Sequence, residues 1–189
     1  MRIPQAEYLR LDLRAHELLR DIPLYDVSVV DLPDGGTGRS VADIRALEST
    51  AAPSGIASAI YGLRHLVGRV FGWDRAPIRL EDSLLSRLSE QDRRDSEIVP
   101  GTRAGSFVVL YQFPGEALSE TWNATVHGYL CTALARTAAG YRLYWAIYVI
   151  PASWLTRPYL TAIEPFRRIL YPAMLGRIRR AWLAAYGSP

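Results

Sequence analysis

The sequence predicts an α+β fold in which a curved antiparallel sheet closes around one long C-terminal helix. Three observations carry this expectation. Tyr159, Ile163, Phe166, Leu170 and Met174 recur at helical spacing within residues 153–187 and share one face, while Thr161, Glu164, Arg168 and Arg179 fall opposite. From residue 96 onward, up to that helix, the pattern changes to β-branched and aromatic runs with period two. A long helix with an aromatic apolar face needs a concave partner, and the preceding strands can supply one.

Composition sets the outer limits. The chain has 189 residues, 49% hydrophobic and 22% charged, which suits one ordered domain over 1–189 burying about 70% of its unfolded surface. Its formal charge is +3, and every basic residue other than histidine is arginine. The absence of lysine excludes Schiff-base chemistry, a lysine general base and the lysine of a phosphate-binding loop. A small net charge on scattered arginines speaks against nucleic acid as a partner. The single cysteine, Cys131, excludes an internal disulfide and any multi-cysteine metal site. The first 14 residues lack a signal-like apolar stretch, and the longest apolar run, 143–155, is short for a bilayer span and contains Pro151. A cytoplasmic protein without a membrane span is expected.

In chain order, residues 5–20 place Tyr8, Leu11, Ala15 and Leu18 at helical spacing, and 25–32 is a first strand. The glycine-rich loop Asp34 to Ser40 follows. Strand, glycine loop and helix is a phosphate-holding context, but Arg39 stands where a Walker lysine belongs and Val41 where a third glycine belongs. Ser40 and Asp43 have capping-box spacing, so a plain turn into a helix at 41–48 is expected. A second helix, 56–71, carries Ile56, Ile60, Leu63, Val67 and Val70 in a stripe that stops at Gly72. Residues 74–95 are polar, with a short helix at 83–90 and a solvated charge run at 90–94. Strands are expected at 107–113, 120–134 and 141–150, with turns at Pro114 and Gly115 and at 138–140. In the last helix Pro165 and Pro172 each remove a backbone hydrogen bond and should bend or interrupt it.

Few residues announce chemistry. On one continuous strand over 119–133, Thr121, Asn123, Thr125, His127, Tyr129 and Cys131 would share a face. That face is either a polar ladder in a pocket, with His127 as base or anchor, or an ordinary solvent face. His16, His65 and His127 are too dispersed for a metal, and no cofactor motif is present. Glu116 and Glu120 flank a turn and read as solvated. Glu164 and Arg168 read as a surface ion pair. Asn123 and Thr125 also match a glycosylation sequon.

The segments GSFVVLY at 105–111, ETWNATVH at 120–127 and above all PFRRILYP at 165–172 with Trp182 resemble a bacterial family of domains of unknown function numbered 2867. VADIRAL at 41–47 and YGLR at 61–64 up to Gly72 resemble it too, so the likeness spans about 20–187. That family is similar to the START-like, or helix-grip (SRPBCC), superfamily. The resemblance implies a sheet curled around the terminal helix with an apolar cavity between them, and it carries over no catalytic residue. The chain departs from it in offering four to six strand candidates instead of seven.

The expected function is therefore to bind a small apolar or aromatic molecule between sheet and helix. Tyr111, Trp122, Trp145, Tyr159 and Phe166 would line the site, with His127 or Tyr148 as polar anchor. Two alternatives stand beside it. One is a cyclase, dehydratase or hydrolase in the same cavity, its catalytic residues unassigned. The other is a partner-binding module, such as a homodimer formed through the arginine-rich stretch 177–182.

Overall fold

The computed structural model describes residues 5–50, 83–122, 126–151 and 156–187, without the side chains of residues 50, 157, 159, 162, 163 and 166. The expected helix at 56–71 lies outside the described residues, as do His65, Asn123 and Thr125.

Where one N-terminal helix was expected, there are two short ones, α1 (Gln5–Tyr8) and α2 (Arg14–Leu18). The break has a tertiary cause. Leu13 is extended, and the Glu116 carboxylate accepts the N–H groups of Arg14 (2.6 Å) and Ala15 (3.3 Å), capping a fresh helix start from a distant strand. Strand β1 (Leu24–Pro33) leads through the glycine loop to α3 (Val41–Thr50). After the undescribed segment come a 3-10 turn (Leu84–Arg87) and α4 (Glu90–Asp95), whose capping box is formed by Ser89 and Asp92. Strands β2 (Arg103–Ala104), β3 (Phe107–Gln112), β4 (Glu116–Trp122), β5 (Val126–Thr137) and β6 (Gly140–Pro151) precede the terminal helix α5 (Thr156–Tyr186).

The six strands form one curved antiparallel sheet in the order β1-β6-β5-β4-β3-β2. From β2 to β6 the chain meanders. β1 returns to the far edge beside β6, with Val29 opposite Tyr144 and Leu32 opposite Tyr141. The turn into β6 requires glycine: Gly140 has φ +139°, and a Cβ there would overlap the Leu32 carbonyl oxygen.

Residues 120–134 are not one strand. They belong to two, β4 and β5, which pair with Trp122 opposite His127 and Glu120 opposite Tyr129. This fold-back changes the expected faces. His127, Tyr129 and Cys131 do share one, but Trp122 joins them, and Thr121 falls opposite Gly128 on the other.

Both faces of the sheet are covered. On one, Val27, Val29, Leu118, Tyr129, Cys131, Tyr144 and Tyr148 pack under α1, α2 and the 3-10 turn. On the other, Leu32, Leu134, Tyr141, Leu143 and Trp145 pack against Ile44 of α3 and Leu175, Ile178 and Trp182 of α5. The polar-looking side of β5 is therefore core, not a solvent face. Glu116 and Glu120 are likewise buried rather than solvated, at 6% and 0% exposure. In the charge run at 90–94, Asp92 is buried and takes a two-pronged bond from Arg14. Covering helices satisfy groups that local pattern assigns to water.

Helix α5 continues through Pro165 and Pro172. Glu164 pairs with Arg168 at 3.0 Å as its spacing predicts, and also with Arg167 at 3.3 Å. Arg167 itself is buried, bonded to Asp26 of β1 at 2.5 Å and lying over the Tyr25 ring.

Candidate functional site

A cavity of about 440 Å³ lies where α3 and α5 meet the sheet. Its apolar wall is Ile44, Phe107, Leu130, Trp145, Met174 and Ile178. Its polar groups include Arg45 and Glu48 from α3, Ser119 and Thr132 from the sheet, and Arg177 from α5. The arrangement follows from elementary periodicities. Ile44 and Glu48 are four apart on α3, and Met174 and Ile178 four apart on α5, so each pair rises on one helical face. In the sheet Ser119 stands opposite Leu130 and Thr132 opposite Trp145, which puts cross-strand neighbours on the same wall.

Trp145 is the most informative group here. It is 6% exposed, it meets Tyr171 edge-on at 6.4 Å, and its buried indole N–H has no hydrogen-bond partner among the described residues. Buried donors are nearly always paired, and an orphan costs about 1–3 kcal/mol. Arg45 makes no ion pair among the described residues. Burial lowers its pKa, only partly offset by the charge of Glu48. The Glu48 carboxyl is raised by the crowding of surrounding atoms, against the pull of Arg45, although much of its side chain meets solvent at the cavity edge.

Of the residues expected to line a ligand site, Trp145 is in this cavity. Tyr159 and Phe166 belong to α5, but their side chains are outside the described set. Tyr111, Trp122, His127 and Tyr148 project from the opposite face of the sheet. His127 sits in a buried chain: its Nε2 is 3.4 Å from Glu120 Oε2, its Nδ1 is 3.3 Å from the Tyr129 hydroxyl, and its ring stacks on Trp122. The Ser83 hydroxyl and the Leu84 N–H donate to the same Glu120 carboxylate. Tyr148 and Tyr8 share a hydroxyl contact at 3.4 Å, and Tyr111 donates to Glu116 at 3.0 Å. Burial pushes the Tyr148 hydroxyl up to about 12 and the Cys131 thiol up to about 12, so neither ionises near neutrality. These polar groups tie covering segments to the sheet.

The glycine loop is a socket. Trp182 donates from Nε1 to the Pro33 carbonyl at 2.8 Å, and Arg136 and Tyr141 donate to Gly36 O. At the helix start the Asp43 carboxylate accepts the Ser40 N–H at 2.8 Å, which is half of the expected capping box.

A protein-family model described as "Protein of unknown function (DUF2867)" matches residues 18–174. The chain belongs to DUF2867. The match takes in all six strands, α3 and the α5 residues up to Met174, so most of the cavity wall of this DUF2867 chain lies within it. No curated protein matches the chain. Among its described residues no helix is long and apolar enough to cross a membrane. Sequence reasoning missed Arg45 and Glu48 as site residues. Their i, i+3 and i, i+4 relation to apolar positions of α3 was legible, but the cavity edge that they border was not.

Proposed function

We propose that this DUF2867 chain binds a small apolar or aromatic molecule between its sheet and its C-terminal helix. The observation that carries this reading is the 440 Å³ cavity with an aliphatic and aromatic wall. A pocket of that size with a few polar groups suits a small organic ligand. The layering also supports kinship with START-like, helix-grip proteins, which place apolar ligands between sheet and terminal helix. A cytoplasmic location and a small-molecule partner belong to the same reading.

Two measurements test it. Native mass spectrometry of the purified full chain should reveal a retained small molecule. Titration with the neutral fluorophore N-phenyl-1-naphthylamine should show saturable one-to-one binding. Leu130→Trp and Met174→Trp, which fill the cavity, should each abolish fluorophore binding while circular dichroism stays native. Absence of saturable binding, or binding indifferent to both folded variants, would overturn the reading.

A further inference from the structure

We infer that the ligand is an uncharged apolar molecule bearing one oxygen function, a ketone or an alcohol, whose oxygen is held on the sheet wall by the hydroxyls of Ser119 and Thr132. This rests on the cavity being a ligand site and adds which chemical class it takes.

Ser119 supplies the first argument. It lines the cavity from β4 and is only 6% exposed, yet its hydroxyl has no hydrogen-bond partner among the described residues. Thr132 of β5 is partly buried, lines the same cavity and is unpartnered in the same sense. Ser119 stands opposite Leu130, two residues before Thr132, so the two hydroxyls are diagonal neighbours on one face of the sheet. On the other face the buried hydroxyls are taken: Ser83 donates to Glu120 and Tyr111 to Glu116. A pure hydrocarbon covering Ser119 and Thr132 would strip them of water and return nothing. A ligand oxygen returns the bond, since each hydroxyl can donate one. The second argument is charge. The wall that the sheet presents, Phe107, Ser119, Leu130, Thr132 and Trp145, holds no ionisable carboxylate or base. The Trp145 nitrogen is enclosed by the protein, so this residue offers the ligand ring surface only. The charged lining groups stand on the helices. There Arg45 and Glu48, three apart on α3, act on each other, and Arg177 is already engaged. An ion placed against the sheet would lose its hydration for two neutral hydroxyls, which cannot offset that cost.

The test is displacement of N-phenyl-1-naphthylamine from the full chain by matched compounds of one body: 1-acetylnaphthalene, 1-(1-naphthyl)ethanol, 1-ethylnaphthalene, 1-naphthoate and 1-(1-naphthyl)ethylammonium. The carboxylate and the ammonium compound should each need a concentration at least about tenfold higher than the ketone or the alcohol. Ser119→Ala and Thr132→Val remove one hydroxyl each and keep an apolar surface. After correction for fluorophore affinity, each should lower the preference for the ketone over the hydrocarbon by about fivefold, as the loss of one hydrogen bond allows. Binding of the hydrocarbon itself should hold or tighten in both variants. Should Ser119→Ala fold poorly, Thr132→Val at the less buried position decides the matter. Either ion binding as tightly as the ketone, or a ketone-to-hydrocarbon preference that no folded variant lowers, overturns this inference while saturable fluorophore binding upholds the cavity as a site. Failure of the fluorophore itself to bind overturns both.

Discussion

Trp182 rests so close to Gly35 that a single Cβ at residue 35 would overlap the indole ring. Around this contact the Gly35 N–H donates to the Tyr186 carbonyl at 3.3 Å, and Arg39 lies over the Tyr186 ring at 3.7 Å. The loop that resembles a phosphate cradle is thus occupied by the end of the chain's own helix. Positive φ at Gly35 (+85°) and Gly36 (+69°) shapes that seat.

The two glycines separate strain from overlap. Gly36→Ala meets open space, so it should cost only the left-handed strain of alanine, about 1 kcal/mol. Gly35→Ala adds displacement of the buried Trp182 and should cost about 2 kcal/mol more. Urea unfolding followed by tryptophan fluorescence measures both, and equal losses would contradict the socket.

The Arg14–Asp92 pair makes an acid-side prediction. Arg14 Nε and Nη2 donate to the two Asp92 oxygens at 3.0 and 2.8 Å, joining α2 to α4. Burial alone would raise the Asp92 carboxyl, but bonds from Arg14 and Ser89 outweigh it and hold it below the usual value. Because the folded value is depressed, the stability is present above the unfolded carboxylate value and lost as pH falls through the folded one. Asp92→Asn should therefore cost about 2 kcal/mol at neutral pH. The gap to the parent should close below about pH 4. Glu116 runs the other way. Burial raises it despite the N–H donors of Arg14 and Ala15, so its contribution is present at acid pH and lost as pH rises through its folded value. A gap for Asp92→Asn that stays constant into strong acid would count against the ionised pair.

Arg167 and Asp26 join α5 to β1 inside the protein, with side chains 8% and 11% exposed. Arg167→Met leaves a buried carboxylate and should cost about 3–5 kcal/mol. The double variant Arg167→Met with Asp26→Leu should regain most of that loss, since two apolar groups replace both charges. A double-mutant cycle by urea denaturation measures the coupling, and additive losses would mean that the pair behaves as a surface contact.

Much of this was readable from local pattern. The helix at 156–186, the strand at 24–33, the turn at Gly140 and the Glu164–Arg168 pair follow from apolar period, turn chemistry and i, i+4 spacing. The fold-back between Trp122 and Val126 was not readable. Residues 120–134 alternate smoothly through it, and no proline or glycine marks the bend.

By itself the sequence determined an α+β chain whose last helix packs on an antiparallel sheet, because the periods 3.6 and 2 are written in side-chain polarity. Only the tertiary structure decided which face each residue joins. Missing one hairpin puts Trp122 and His127 on opposite faces on paper, whereas they stack in the folded chain. It alone also decided that Glu116, Glu120 and Asp92 are buried, since their partners, Arg14 and Ala15, Ser83 and Leu84, and Arg14 again, lie far away along the chain. Polarity along a strand tells which groups need hydrogen bonds, but not whether water or a distant segment supplies them.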